Sequence, residues 1–279
     1  MTAITASSDR AQSSPAGVPS PLAHRVTPKI AVADGLVVAW RNLLSMLRTP
    51  EVLVFSSIQP DIFVFMFRFV FGGAITVPGE SYVNFLMPGI FIQTVAFGSV
   101  TTAIGMATDL QGGVIDRVRS LPMARSAVLA GRTIADLVRS VWVVILMAAV
   151  GTLVGFRVQT NGFAALAAAG IILLFAFALS WVFAFFGLVT ANPEAAQAAS
   201  FPFLAIFVFA SSAFVPLDTM PGWLQAFAEH QPVTAAINAV RALVLGGPTA
   251  SYVVTALAWC IGIVVVFAPL AVHRYRRST

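Results

Sequence analysis

Residues 163–190 run on without a single Asp, Glu, Lys or Arg. As a helix such a run is roughly 42 Å long, more than the ~30 Å of hydrocarbon in a bilayer. Comparable apolar runs occupy about 52–76, 84–108, 128–155, 196–216 and 249–272. They are continuous, without the alternation of polar and apolar residues that marks barrel strands. The chain is therefore expected to be an all-α integral membrane protein of about six transmembrane helices. Composition agrees: 58% of residues are hydrophobic and only 10% charged, against about a quarter charged in soluble domains.

The flanking segments divide the rest. Residues 1–28 are rich in Ser, Ala and Pro and are expected to form a disordered cytoplasmic tail. Residues 29–48 place Val32, Leu36, Leu43, Leu44 and Leu47 near helical period, with Trp40, Arg41 and Arg48 beside them. That pattern predicts an amphipathic helix lying on the membrane face. Residues 49–279 then form one six-span domain, with a polar loop at 109–126. Residues 217–247 contain Pro221, Trp223, Glu229, Pro232 and Arg241. Pro232 divides two stretches, about 221–229 and 233–245, each too short to cross the bilayer. Gly246-Gly247-Pro248 stops the second. The expectation is a re-entrant hairpin at the outer leaflet, its broken backbone covered by protein or water.

Net charge is +5. In a soluble protein this would suggest nucleic acid. Here the arginines gather beside alternate ends of the spans, the signature of cytoplasmic loops, so nucleic acid is not an expected partner. The distribution predicts both termini in the cytoplasm. Cys260 is the only cysteine, which excludes an internal disulfide or a multi-cysteine metal site; it is read as a packing residue. The only lysine is Lys29, and no Walker A motif occurs, so nucleotide binding by that route is excluded. No metalloprotease or nucleophile-elbow motif occurs either. The chain is not expected to be an enzyme or to bind a cofactor or metal of its own.

Three sets of residues invite a function. In the loop, Gly112-Gly113 breaks the preceding helix, Ile115, Val118 and Leu121 share a helical face, Asp116, Arg117 and Arg119 lie off it, and Pro122 ends it. This is either a short helix on which a soluble partner can push or a solvated positive loop. In the first span, Asp61 is expensive in a bilayer. It either lines a transport pathway and attracts a cation, or pairs with an arginine or carries a proton. Arg68, seven residues on, and Gln93 in the second span are grouped with it. In the hairpin, Glu229 and Arg241 are placed to pair across Pro232, to gate an exit, or to hold the tip in the headgroup layer. The phenylalanines at 63, 65, 67, 69 and 71 surround their helix, because alternate residues do not share a face.

The stretch GVIDRVRSLPMARSAVLAGR resembles the loop of the daunorubicin-resistance (DrrB-like) permeases of the type-2 ABC exporters. FVFMFRFVFGGAI, NFLMPGIFIQT, FALSWVFAFFGL, MPGWLQAFAEHQPVTAAINAVRAL and FAPLAVHRYRR resemble the same family in the same order. Asp61 departs from it, because an apolar residue is expected there. The resemblance implies a permease in a bacterial plasma membrane. It implies pairing with a second permease copy and with a separate ATP-binding cassette subunit, which would supply ATP and magnesium. It implies that Gly113 to Pro122 form the coupling helix, and that a drug or lipid-like compound is exported by alternating access. An ion-coupled secondary transporter using Asp61 is the alternative, and a purely structural membrane subunit a third reading.

Overall fold

The computed structural model describes residue 58 and residues 60–73, 77, 79–112 and 125–277. The expected tail, the 29–48 helix and the start of the first span lie outside them, as do Gly113, Ile115, Asp116, Arg117, Arg119, Leu121 and Pro122. Among the described residues there is helix and turn but no strand.

Helix α1 covers 60–71, α-helical to Phe65 and π-helical over Met66–Phe71. Then follow α2 (Tyr82–Gln111), α3 (Arg125–Val154), α4 (Gly162–Val189) and α5 (Pro193–Phe209). The chain ends with α6 (Gly222–Glu229), α7 (Pro232–Leu245) and α8 (Thr249–Arg277). The boundaries follow local chemistry. Ser81, Asn161 and Asn192 each accept a hydrogen bond from the amide three residues on, satisfying a free N–H of the first turn. Gly246 and Gly247, at φ of 100° and 118°, end α7 in a conformation that side chains with a Cβ avoid.

Helices α2, α3, α4 and α8 are long and apolar enough to span a bilayer. Their burial sorts them into layers: the apolar windows of α2 and α4 are each 67% buried, those of α3 and α8 only 28% and 11%. Helix α4 is the axis, packing against α2, α3, α5, α7 and α8. Leu153, Phe163, Leu166, Val254 and Val265 face outward, an apolar surface that only lipid or another membrane helix can cover. Close crossing of α2 and α4 depends on Gly187, where a Cβ would run into the Ala103 carbonyl. Cys260 is buried in the core, as a packing residue should be. On α1, Phe63 and Phe67 turn inward to rings that include Phe214, whereas Phe65 and Phe69 are exposed.

One boundary differs from expectation. The fifth apolar run was expected to continue to 216, but α5 stops at Phe209. At 17 residues it is roughly 25 Å long, short of a full crossing. Ser211 and Ser212 are the reason. Their hydroxyls bond to the Val208 carbonyl and the Asn238 side chain, and the Ser212 amide donates to Thr234, so the backbone leaves the helix with its polar groups satisfied. The two hairpin helices fall where the sequence places them, with Pro232 at the first position of α7.

Candidate coupling ladder and transport cavity

Helices α2 and α3 run antiparallel on either side of the 113–124 segment. Gly98 and Gly105 stand seven residues apart on α2, and Arg132 and Arg139 seven apart on α3. Seven residues is nearly two turns, so each pair lies on one face. Each arginine lies over a glycine. The Arg139 guanidinium would be 3.4 Å from a Cβ at Gly98, and Arg132 occupies the space a Cβ at Gly105 would take.

Acidic and hydroxyl groups complete a ladder. Arg132 Nη1 donates to Asp109 Oδ2 at 2.8 Å. One turn further along α3, Asp136 Oδ2 accepts from the buried Thr102 hydroxyl at 2.6 Å. Arg139 Nη2 donates to the Gly98 carbonyl at 2.7 Å and lies 3.8 Å from Asp136 Oδ1. From Asp109 to Gly98 the ladder climbs roughly 16 Å along α2. Its charges are mutually compensated, which is what charge at this depth requires.

The ladder ends in a cavity of about 160 Å³ with a mixed wall, lined by residues of α1, α2 and α3 that include Pro60, Gln93, Thr94, Phe97, Arg139 and Val143. Gln93 is 4% exposed and its Oε1 has no partner. Asp61 follows Pro60, with Oδ1 buried and unpartnered. The expected pairing of Asp61 with an arginine is not found among the described residues. Arg68 is exposed, beyond the start of the π-helix, and neither it nor Asp61 is among the residues that line the cavity.

The hairpin residues separate. Pro221 caps α6, Trp223 is 76% exposed, and Glu229 accepts from Gln225 at 2.8 Å on its own helix. Arg241 does not pair with Glu229; it turns inward onto α2 and the end of α5. Its Nη2 donates to the carbonyls of Phe85 at 3.1 Å and Ser212 at 2.8 Å, and Nη1 to Asn238 Oδ1 at 3.1 Å. Its guanidinium also stacks 3.8 Å from the centre of the Phe85 ring. The Ser212 carbonyl, released where α5 breaks, and the Phe85 carbonyl of α2 explain the inward turn, since a five-donor fork satisfies both.

The sequence reads Arg132 and Arg139 as cytoplasmic-side charges at the start of the third span and Thr102 as a small hydroxyl residue for helix packing, and it gives Asp136 no role. The available signal was the matched seven-residue spacing of glycines and arginines on two neighbouring helices.

Comparison with known protein families matches residues 35–245 to the description "ABC-2 type transporter". This chain belongs to the ABC-2 type transporter family. Among its relatives is a daunorubicin resistance ABC transporter permease protein, DrrB1, of Streptomyces coeruleorubidus. It is 36% identical over 250 residues, 89% of this chain and 88% of the relative. A probable doxorubicin resistance ABC transporter permease protein, DrrC, of Mycobacterium tuberculosis is 29% identical across 99% of both chains. A putative transport permease, ycf38, of Cyanophora paradoxa is 25% identical over 78% of this chain and 76% of its own length. The ABC-2 chain described here is thus a membrane transport protein of the ABC permease kind. The ion-coupled alternative is left without support.

Proposed function

We propose that the chain is the permease subunit of an ABC exporter. It moves an amphipathic drug or lipid-like compound out of the cytoplasm or inner leaflet and works with a second permease copy. A separate cassette subunit binds ATP and magnesium and hydrolyses the nucleotide. Both termini, the 29–48 interfacial helix and the 113–122 coupling segment face the cytoplasm, and the α6–α7 hairpin faces the outer leaflet.

The observation that carries this reading is the polar ladder. It begins at Asp109 and Arg132, which bracket the coupling segment, and ends at Arg139 in the cavity beside Gln93. In this reading ATP-driven displacement of Gly113 to Pro122, through the contact made by Ile115, Asp116, Arg117, Arg119 and Leu121, moves α2 and α3 as one unit. The cavity wall moves with them, which is the element that alternating access needs. Asp61 and Gln93 offer bare acceptors to a compound carrying a cation or a hydroxyl. The relatives named for daunorubicin and doxorubicin resistance support a drug substrate of that chemistry.

The test is co-purification with an ABC ATPase from the same genome, with and without Asp116→Ala, Arg117→Ala and Leu121→Ala. Wild type retains the ATPase and stimulates its turnover; the variants lose one or both. Failure of wild type to hold any such ATPase overturns the reading.

A further inference from the structure

A cavity of about 200 Å³ lies where α7 ends and α8 begins, lined by Asn238, Arg241, Ala242, Gly246, Pro248 and Tyr252. Arg241 is bound to Phe85 in the first turn of α2, and Tyr252 stands in the first turn of α8. The cavity is thus level with the ends of two membrane-spanning helices, where hydrocarbon gives way to headgroups. Gly246 and Pro248 are exposed and leave its mouth open.

The wall offers donors around one uncompensated charge. Arg241 has five N–H groups. Nε and Nη2 give three of them to the carbonyls of Phe85 and Ser212, and Nη1 gives one to Asn238 Oδ1. One N–H of Nη1 is left, on the side of Asn238, which shares the cavity wall. A guanidinium can only donate, so it holds Asn238 Oδ1 toward itself and turns Nδ2 away. Nδ2 has no partner among the described residues and is not among the sealed polar atoms. Tyr252, 39% exposed, adds a hydroxyl without a partner among the described residues.

Among the described residues no carboxylate pairs with Arg241. Asp109 and Asp136 are engaged with Arg132 and Arg139, and Glu80, just ahead of α2, accepts from Gln159 at 2.7 Å. Carbonyl dipoles and the Phe85 ring solvate the guanidinium but leave its charge standing, which is costly beside hydrocarbon. Asn238 Oδ1 already accepts from Ser212 and Arg241. Three donor groups around one positive charge suit an oxyanion, and they suit neither a cation nor an acyl chain.

We propose that this cavity binds a phosphate ester anion, whose oxygens accept from Arg241 Nη1, Asn238 Nδ2 and the Tyr252 hydroxyl. Its level in the bilayer favours the phosphate of an anionic lipid over a soluble phosphate. The site stands whether or not the chain exports a compound.

The probes are phosphatidylglycerol and diacylglycerol, which differ by the phosphate-bearing headgroup. The full chain is delipidated in a neutral maltoside detergent without an ATPase, so failure of the export reading leaves this test intact. Native mass spectrometry then counts the lipids retained across a titration. Wild type is expected to hold one phosphatidylglycerol tightly and no diacylglycerol. Tyr252→Glu supplies the missing carboxylate within the cavity and is expected to weaken that tightest lipid roughly tenfold, the worth of a charge-assisted hydrogen bond. Tyr252→Phe removes one oxygen from a side chain open to solvent. It is expected to weaken binding several-fold, and it keeps the test sharp should Tyr252→Glu misfold. Equal retention of both probes, or indifference of the tightest lipid to both variants in folded protein, would leave Arg241 a structural donor alone and overturn the proposal. Millimolar inorganic phosphate separates the sources. Displacement of the lipid in wild type upholds the anion site and assigns it to a soluble phosphate; retention of the lipid upholds it as a headgroup site.

Discussion

Arg132 of α3 lies across Gly105 of α2 and donates to Asp109, one turn further along the same helix, at 2.8 Å. The contact ties α2 to α3 at the ends that flank residues 113–124. A side chain at position 105 would displace the guanidinium and separate the pair.

Arg132→Met should therefore lower transport several-fold and stability by about 1–3 kcal/mol, the worth of hydrogen bonds to a partly buried charge. Asp109→Asn should act in the same direction but less, since the amide still accepts. The reversal Asp109→Arg with Arg132→Asp should regain most of the loss if the pair acts by attraction across the two helices. ATPase stimulation and export, measured side by side, read the outcome. Recovery of neither would assign the two residues to unrelated roles.

Gly187→Val should be among the most damaging apolar changes in the chain. The new side chain meets the Ala103 backbone, which cannot rotate away as a side-chain end can. Overpacking of this kind costs about 1–3 kcal/mol or more. Thermal unfolding in detergent and the yield of folded protein would register it; an unchanged midpoint would refute the close crossing of α2 and α4.

Arg241→Lys should fail to replace Arg241. One ammonium cannot reach the Phe85 carbonyl, the Ser212 carbonyl and Asn238 together while stacking on a ring. Loss of about 2–4 kcal/mol is expected, because buried carbonyls lose their donor. Proteolysis should then cut within 210–248 sooner than in wild type, whereas Glu229→Ala, on an exposed residue bonded within its own helix, should leave the digest unchanged.

Asp61→Asn and Gln93→Leu should reduce export of a cationic amphipath several-fold while leaving ATPase co-purification intact. Transport in membrane vesicles distinguishes the two steps. Normal export by Gln93→Leu would remove the 160 Å³ cavity from the substrate path, and normal export by Asp61→Asn would remove that carboxylate from it.

The spans were legible because apolar runs of their length, with few or no charges, have one physical outlet. The hairpin was legible because Pro232 and Gly246-Gly247-Pro248 forbid a continuous helix. The end of α5 was not, since Ser211 and Ser212 sit in an otherwise apolar run and break the helix only through partners on α7. The ladder was hidden for a related reason. An arginine near a span end counts the same toward orientation whether it meets headgroups or reaches a glycine on the next helix. Only the pairing of helices assigns Arg139 to the Gly98 carbonyl. The partners of Arg241 were hidden likewise, because they lie 156 and 29 residues away.

The shortness of the hairpin helices also dictates an order of assembly. Helix α6 has eight residues and α7 fourteen, and between them they carry Gln231, Asn238 and Arg241. Neither can partition into lipid alone. Outside the hairpin, these side chains are met by the Phe85, Ala210 and Ser212 carbonyls and the Ser212 hydroxyl, which come together once α2 and the end of α5 are side by side. The hairpin's polar side chains are thus satisfied only after α2 and α5 have packed. A nascent chain halted before α2 meets α5 would hold residues 217–247 in water, where quality-control proteases can reach them.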